Sequence, residues 1–214
     1  MKLPLEKRLR KRLHVEVAFL QDAVVEAVYE CSENAVLHGG TAVWRCFGGN
    51  RFSEDLDFYC SDISKIDECL PRLLERRGLQ LRKYKKTANL VFCKVASEGV
   101  EVRLEINFAR TTPREARSFE KTDGTSIQVF CLPARELFLE KISAYENRRF
   151  ARDLYDLIQL KAVVENDAQV KARLEKFLAA PPPPVDEATL KATVLAGTIP
   201  SFKQMTEQLK AFLK

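Results

Sequence analysis

Apolar residues recur at helical spacing through "HVEVAFLQDAVVEAVYE", His14 to Glu30, and the pattern predicts an amphipathic helix there. "AVLHGG" follows as a short apolar run ended by a glycine pair, which reads as a buried strand entering a turn. "TAVWRCF" is expected to be a short helix capped by Thr41, and "DLDFY" a strand. A longer helix is expected from Ser64 to Arg77, with Ser64 and Asp67 offering capping chemistry and Gly78 closing it. In "LRKYKKTANLVFCKVASEGVEVRLEINFAR" the period changes to two, and strands are predicted around the "SEGV" turn. There Val100, Val102, Leu104, Ile106 and Phe108 alternate with Glu101, Arg103, Glu105 and Asn107, so the polar face carries Glu105. "SIQVFCLP" reads as another strand. From "ARELFLEKISAYENRRFARDLYDLIQLKAVVE" onward the spacing is helical again, with a bend expected near "ENRR".

This shift from mixed strands to helix marks a boundary near Leu132. The chain is therefore expected to divide into residues 1–132, a domain with an N-terminal helix, and residues 133–214, a helical domain. Pro181 to Pro184 cannot be helical and should form a stiff extended connector within the second domain. The predicted class is α+β: a mixed sheet flanked by helices, followed by a C-terminal helical domain. With 214 residues and 46% hydrophobic content, the chain can bury a substantial core without staples.

Composition narrows the chemistry further. Six cysteines, Cys31, Cys46, Cys60, Cys69, Cys93 and Cys131, lie scattered without a Cys-x-x-Cys pair, and only His14 and His38 could join them. No zinc spacing results, and the cysteines are expected to be reduced, mostly buried thiols. No apolar stretch approaches the length of a signal peptide or the roughly 20 residues that span a bilayer, so a cytoplasmic location and no membrane partner are expected. The net charge of +5 and pI near 8.9 are mild. Basic residues nevertheless cluster in "EKRLRKRLH", "ERRGLQLRKYKK" and "ENRRFARD", which suits either solvated helix faces or an RNA or polyphosphate partner.

The candidate chemistry sits between Leu37 and Tyr59, in "LHGGTAVWRCFGGNRFSEDLDFY". Gly39 and Gly40 stand between a strand and a helix, where backbone amides and the positive helix end can hold a polyphosphate, and Thr41 adds a hydroxyl. Residues 42–54 are long enough for a helix and a return loop that bring the next strand alongside the first. Asp55 and Asp57, one residue apart on a strand, project to the same side. Hard carboxylate oxygens beside phosphates are Mg²⁺ chemistry, and Glu105 is the natural third carboxylate. Alone, a Gly-Gly is a turn and an Asp-x-Asp a solvated strand edge; their combination at this spacing matches polymerase-beta-type nucleotidyltransferases.

"LHGGTAVWRCFGGNRFSEDLDF" resembles the signature of the AbiEii/AbiGii-type nucleotidyltransferase toxins, a Gly-Gly-Thr-Ala turn followed by an Arg-x-Ser-x-Asp-Leu-Asp-Phe strand. "VRLEINF" resembles that family's third-carboxylate strand, and "ARELFLEKISAYENRRFARDLYDLIQL" its C-terminal motifs. The resemblance implies a nucleotidyltransferase sheet and a toxin-like enzyme that moves a nucleotide from a nucleoside triphosphate (NTP) to an acceptor hydroxyl. It also implies Mg²⁺, with Mn²⁺ as substitute, and an AbiEi-like antitoxin; in some members the acceptor is the tRNA 3′ end. Carried over by position, Gly39, Gly40, Thr41 and Ser53 contact phosphates, Asp55 and Asp57 hold metal, and Glu105 joins them and activates the acceptor hydroxyl. Lys141 would neutralise triphosphate charge, and Asp153 would orient a substrate or that lysine. Asp153 could instead pair with Arg148, Arg149 or Arg152, and Arg51 could contact phosphate or pair with Glu54. A small-molecule acceptor, such as an antibiotic, and a non-catalytic nucleotide-binding protein are the competing readings.

Overall fold

The computed structural model describes residues 3–214, and the chain divides into two compact units. The first comprises residues up to Cys46 together with Ser53–Leu132; the second comprises Phe47–Phe52 and Pro133–Lys214. The division thus falls after Leu132, but six residues from the loop before the Asp-x-Asp segment cluster with the helical unit. Among the described residues no helix is long and apolar enough to cross a membrane.

In the first unit, seven strands form one mixed sheet: β1 (Val36–His38), β2 (Leu56–Cys60), β3 (Gln80–Lys86), β4 (Leu90–Ser97), β5 (Val100–Phe108), β6 (Glu115–Glu120) and β7 (Ser126–Cys131). Their spatial order is β3-β4-β5-β2-β1-β7-β6. The β2–β5 and β1–β7 pairs are parallel, and the other neighbours are antiparallel. Alternation decides which face of β2 and β5 enters the core: Leu56, Phe58, Cys60, Leu104 and Ile106 are buried, and the residues between them face the other way.

The helices of this unit are α1 (Leu5–Arg8), α2 (Arg12–Cys31), α3 (Gly39–Cys46) and α4 (Ile63–Arg76). Helix α2 lies against α4 and β5, and its buried stripe includes Val17, Leu20, Val24, Val25 and Val28. Helix α4 starts one residue before the position expected from sequence. Asp62 is its cap, accepting from the Lys65 amide at 3.2 Å. Asp67 is not a cap but accepts from the Tyr84 hydroxyl and Lys86.

The cysteines also depart from expectation. Cys31, at the end of α2, is disulfide-bonded to Cys69 on α4 with Cα atoms 5.6 Å apart, while Cys60, Cys93 and Cys131 are buried thiols and Cys46 is a half-buried one. The 38-residue separation encloses β1, α3 and β2, the segment that carries the glycine pair and both aspartates.

The second unit is built from α5 (Ala134–Arg148), α6 (Ala151–Leu160), α7 (Ala168–Leu178), a 3-10 turn at Glu187–Thr189, α8 (Leu190–Thr193) and α9 (Phe202–Phe212). The bend expected near "ENRR" is at Arg149, whose φ of 53° ends α5 and lets α6 fold back against it. The four prolines lie in neither helix nor strand, and the Pro182 carbonyl accepts from the Tyr145 hydroxyl at 2.6 Å. The segment 47–52 joins this unit through backbone bonds. Phe52 donates to the Thr193 carbonyl at 2.8 Å, and Leu195 donates to that of Asn50 at 3.0 Å.

Candidate active site

Strand β1 delivers His38 into Gly39, whose φ of 73° turns the chain directly into α3. Only glycine fits here for a second reason. A Cβ at this position would stand 2.5 Å from Asp57 Oδ2, so the carboxylate packs against the bare backbone of the turn. Gly40 and Thr41 follow in the first turn of α3, both buried. Thr41 uses its hydroxyl to tie that turn to the aspartate strand, donating to the Asp55 carbonyl at 2.6 Å.

Sheet register sets the carboxylates. His38 stands opposite Asp57 across the β1–β2 pair, and Asp57 stands opposite Glu105 across the β2–β5 pair. Asp55 lies one residue before Leu56, and Arg103 one residue before Leu104, with Leu56 and Leu104 themselves register partners. Asp55, Asp57, Arg103 and Glu105 therefore share the face opposite the core. Arg103 Nη2 lies 2.8 Å from Asp55 Oδ2, and Glu105 Oε1 accepts from Asn107 Nδ2 at 3.0 Å. The His38 ring stacks on Tyr59, with centroids 3.9 Å apart. Gln21 Nε2 donates to the carbonyls of Ser53 and Glu54 at 2.8 and 3.0 Å, fixing the chain that leads into Asp55.

Burial pushes the Asp57 carboxyl above its ordinary value. Asp55 and Glu105 add to that shift, and His38 and Arg103 oppose it. A partly dry carboxylate flanked by two others favours a nearby cation. The donor set is all hard oxygen, which fits Mg²⁺ or Mn²⁺ rather than a softer metal. Among the described residues no three His, Cys, Asp or Glu side chains are gathered into a metal-holding group; Asp55 is turned onto Arg103 instead.

The remaining candidates lie in the second unit, where they form a buried charge network. Asp156 accepts from Arg51 through two parallel bonds of 2.6 Å, and Lys141 Nζ lies 2.7 Å from its Oδ2. Lys141 also reaches Asp153 at 3.4 Å, and Asp153 accepts from Arg148 Nε and Nη2, both at 2.7 Å. Asp153 and Asp156 are fully buried, Arg51 is 4% exposed and Lys141 is 5% exposed. Burial alone would raise the Asp156 pKa, but the charges of Arg51 and Lys141 and their hydrogen bonds outweigh it and hold the carboxyl below its usual range. Arg51 thus pairs with Asp156 and not with Glu54, and of the three arginines considered for Asp153 it is Arg148 that binds it. Asp156 was not singled out from sequence. Its signal was the second aspartate of "RDLYDL", one turn after Asp153 on α6.

The structure brings Gly39, Gly40, Thr41, Ser53, Asp55, Asp57 and Glu105 together in the first unit, and Arg51, Lys141 and Asp153 together in the second. Three solved structures resemble the chain at this level of fold. The MenT4 nucleotidyltransferase toxin of Mycobacterium tuberculosis is 17% identical, with a TM-score of 0.63 and coverage of 96% of this chain and 85% of that one. JHP933 from Helicobacter pylori is 23% identical, with a TM-score of 0.64 and coverage of 95% and 91%. A putative nucleotidyltransferase from H. pylori is 22% identical, with a TM-score of 0.62 and coverage of 95% and 94%. No curated protein matches the chain. The family described as "Nucleotidyl transferase AbiEii toxin, Type IV TA system" matches residues 24–214, nearly the whole length. The chain belongs to the AbiEii family of nucleotidyltransferase toxins.

Proposed function

We propose that the protein transfers a nucleotide from an NTP to a hydroxyl of RNA, with the tRNA 3′ end as the foremost acceptor and Mg²⁺ as cofactor. The observation that carries this reading is the common face of Asp55, Asp57 and Glu105 beside a glycine turn that admits Asp57 without a side chain between them. The amides of Gly40 and Thr41, at the start of α3, are suited to bind phosphate oxygens, and Ser53 adds a hydroxyl close in sequence to Asp55. Asp55 and Asp57, with Glu105 alongside, would hold the cation. When bound, it would supply charge neutralisation at the triphosphate and at the entering and leaving oxygens.

In the reaction the acceptor oxygen bonds to the α-phosphorus while the bond from that phosphorus to the bridging oxygen breaks. Pyrophosphate leaves with the electron pair, and Glu105 accepts the hydroxyl proton. Binding and orientation supply most of the rate in such a transfer. Lys141, Asp153 and Arg51 enter this proposal as a scaffold for the helical unit, since each is committed to a buried partner.

An RNA acceptor is favoured by β3, an edge strand on which Arg82, Lys83, Lys85 and Lys86 are all exposed. The type IV toxin–antitoxin description of the family supports regulation by an antitoxin, for which an AbiEi-like protein is the proposed kind. Purified protein incubated with each α-labelled NTP, with and without total tRNA and with Mg²⁺, Mn²⁺ or chelator, tests the reading. Label appearing on tRNA only with a divalent cation supports it. Label on a small molecule alone would move the acceptor to the competing class, and transfer in chelator would remove the metal.

A further inference from the structure

The cation that meets Asp55 on the carboxylate face is Arg103, and its place there is set by register. Leu104 pairs with Leu56, so Arg103 and Asp55 arrive at the same level on adjoining strands, and Asp57 and Glu105 at the next level of that face. On the other side of β5 the neighbour of Arg103 is Lys94, a like charge already paired with Glu101. The guanidinium therefore turns to Asp55, at 2.8 Å, and the side chains of the pair are 43% and 33% exposed. An arginine and a divalent cation both seek the same carboxylate oxygens, and two positive charges a few ångströms apart repel.

We propose that Arg103 is a positioning residue that holds Asp55 while the site is free of metal and gives it up to the incoming divalent cation. Cation binding then carries the cost of breaking the Arg103–Asp55 pair, which sets the metal concentration at which the site fills. The half-exposed guanidinium can leave Asp55 for water, so the exchange requires no rearrangement of the sheet. This inference rests on the reading that Asp55 and Asp57 take a divalent cation.

The test is Mn²⁺ binding to the intact protein without NTP, followed by the paramagnetic resonance of free Mn²⁺ and by calorimetry. Wild type, Arg103→Gln, Arg103→Lys and Asp57→Asn are compared, each checked for unchanged melting temperature. Removing the competing charge should tighten Mn²⁺ binding about threefold to fivefold in Arg103→Gln, the range an exposed ion pair can contribute. Arg103→Lys should return the affinity toward wild type, and Asp57→Asn should weaken it strongly. If wild type and Arg103→Gln bind equally, or Arg103→Gln binds more weakly, the competition is refuted while the metal site stands. If wild type does not bind, or Asp57→Asn binds as wild type does, the metal reading fails and the Arg103 role with it.

Discussion

Replacing Asp156 with Asn removes one charge from the buried network at nearly constant volume. In the wild type that carboxylate answers two cations, with Arg51 at 2.6 Å through both oxygens and Lys141 at 2.7 Å. Without it the Arg51 guanidinium, 4% exposed, has lost its counter-ion, and Lys141 keeps only Asp153 at 3.4 Å. Stranding a buried charge in this way costs about 3–5 kcal/mol, far above the 0–1 kcal/mol of a surface pair. The melting temperature at pH 7 should fall by roughly 6 °C or more, as read by calorimetry or far-UV circular dichroism. The pH dependence gives an independent reading. Because the folded Asp156 pKa lies below its unfolded value near 3.9, the stabilisation is fully present above that value and is lost as pH falls through the folded pKa. The gap between wild type and Asp156→Asn should therefore narrow as pH drops below about 4. A melting temperature unchanged at pH 7, or a gap that stays constant down to pH 3, would refute the assignment of a charged network.

Gly39→Ala should abolish transfer, because its Cβ would meet Asp57 Oδ2 at 2.5 Å and the backbone has φ 73°; activity comparable to wild type in a labelled-NTP assay would exclude the turn from the site. Reducing the Cys31–Cys69 bond, or Cys31→Ser, should lower stability by about 4 kcal/mol, as expected for a closed loop of 38 residues. Identical denaturation midpoints with and without reductant would show that the bond contributes nothing. Affinity for tRNA should fall steeply with salt, and replacing Lys83, Lys85 and Lys86 together with Gln should lower the slope of log K against log salt by about 3. An unchanged slope would remove β3 from the RNA path.

Local pattern made the strands of the active face legible, because one side of β5 is apolar at every second residue and the glycine pair punctuates β1. The bend at Arg149 was legible too, as a break between two helical stretches. What the pattern did not carry were pairings between distant positions. Arg51 and Asp156 lie 105 residues apart, and the Arg103–Asp55 pair depends on register between parallel strands. The Cys31–Cys69 bond likewise needs α2 and α4 side by side, which scattered cysteine spacing cannot reveal. Strand β6 was missed because it is an edge in which only Phe119 is buried, leaving almost no alternation to read. Lys141 and Asp153 do meet, at 3.4 Å, yet sequence could not distinguish a ligand-facing lysine from one held between two buried aspartates.

Nucleotide transfer by wild type, Asp55→Asn and Asp57→Asn, each confirmed as folded, tests the central claim most directly. With α-labelled NTP, Mg²⁺ and total tRNA, wild type should attach label to RNA and release pyrophosphate. Each variant should do neither, because the amide removes the charge that holds the cation at almost the same size. Mg²⁺-dependent transfer at wild-type rate in either variant would contradict the account.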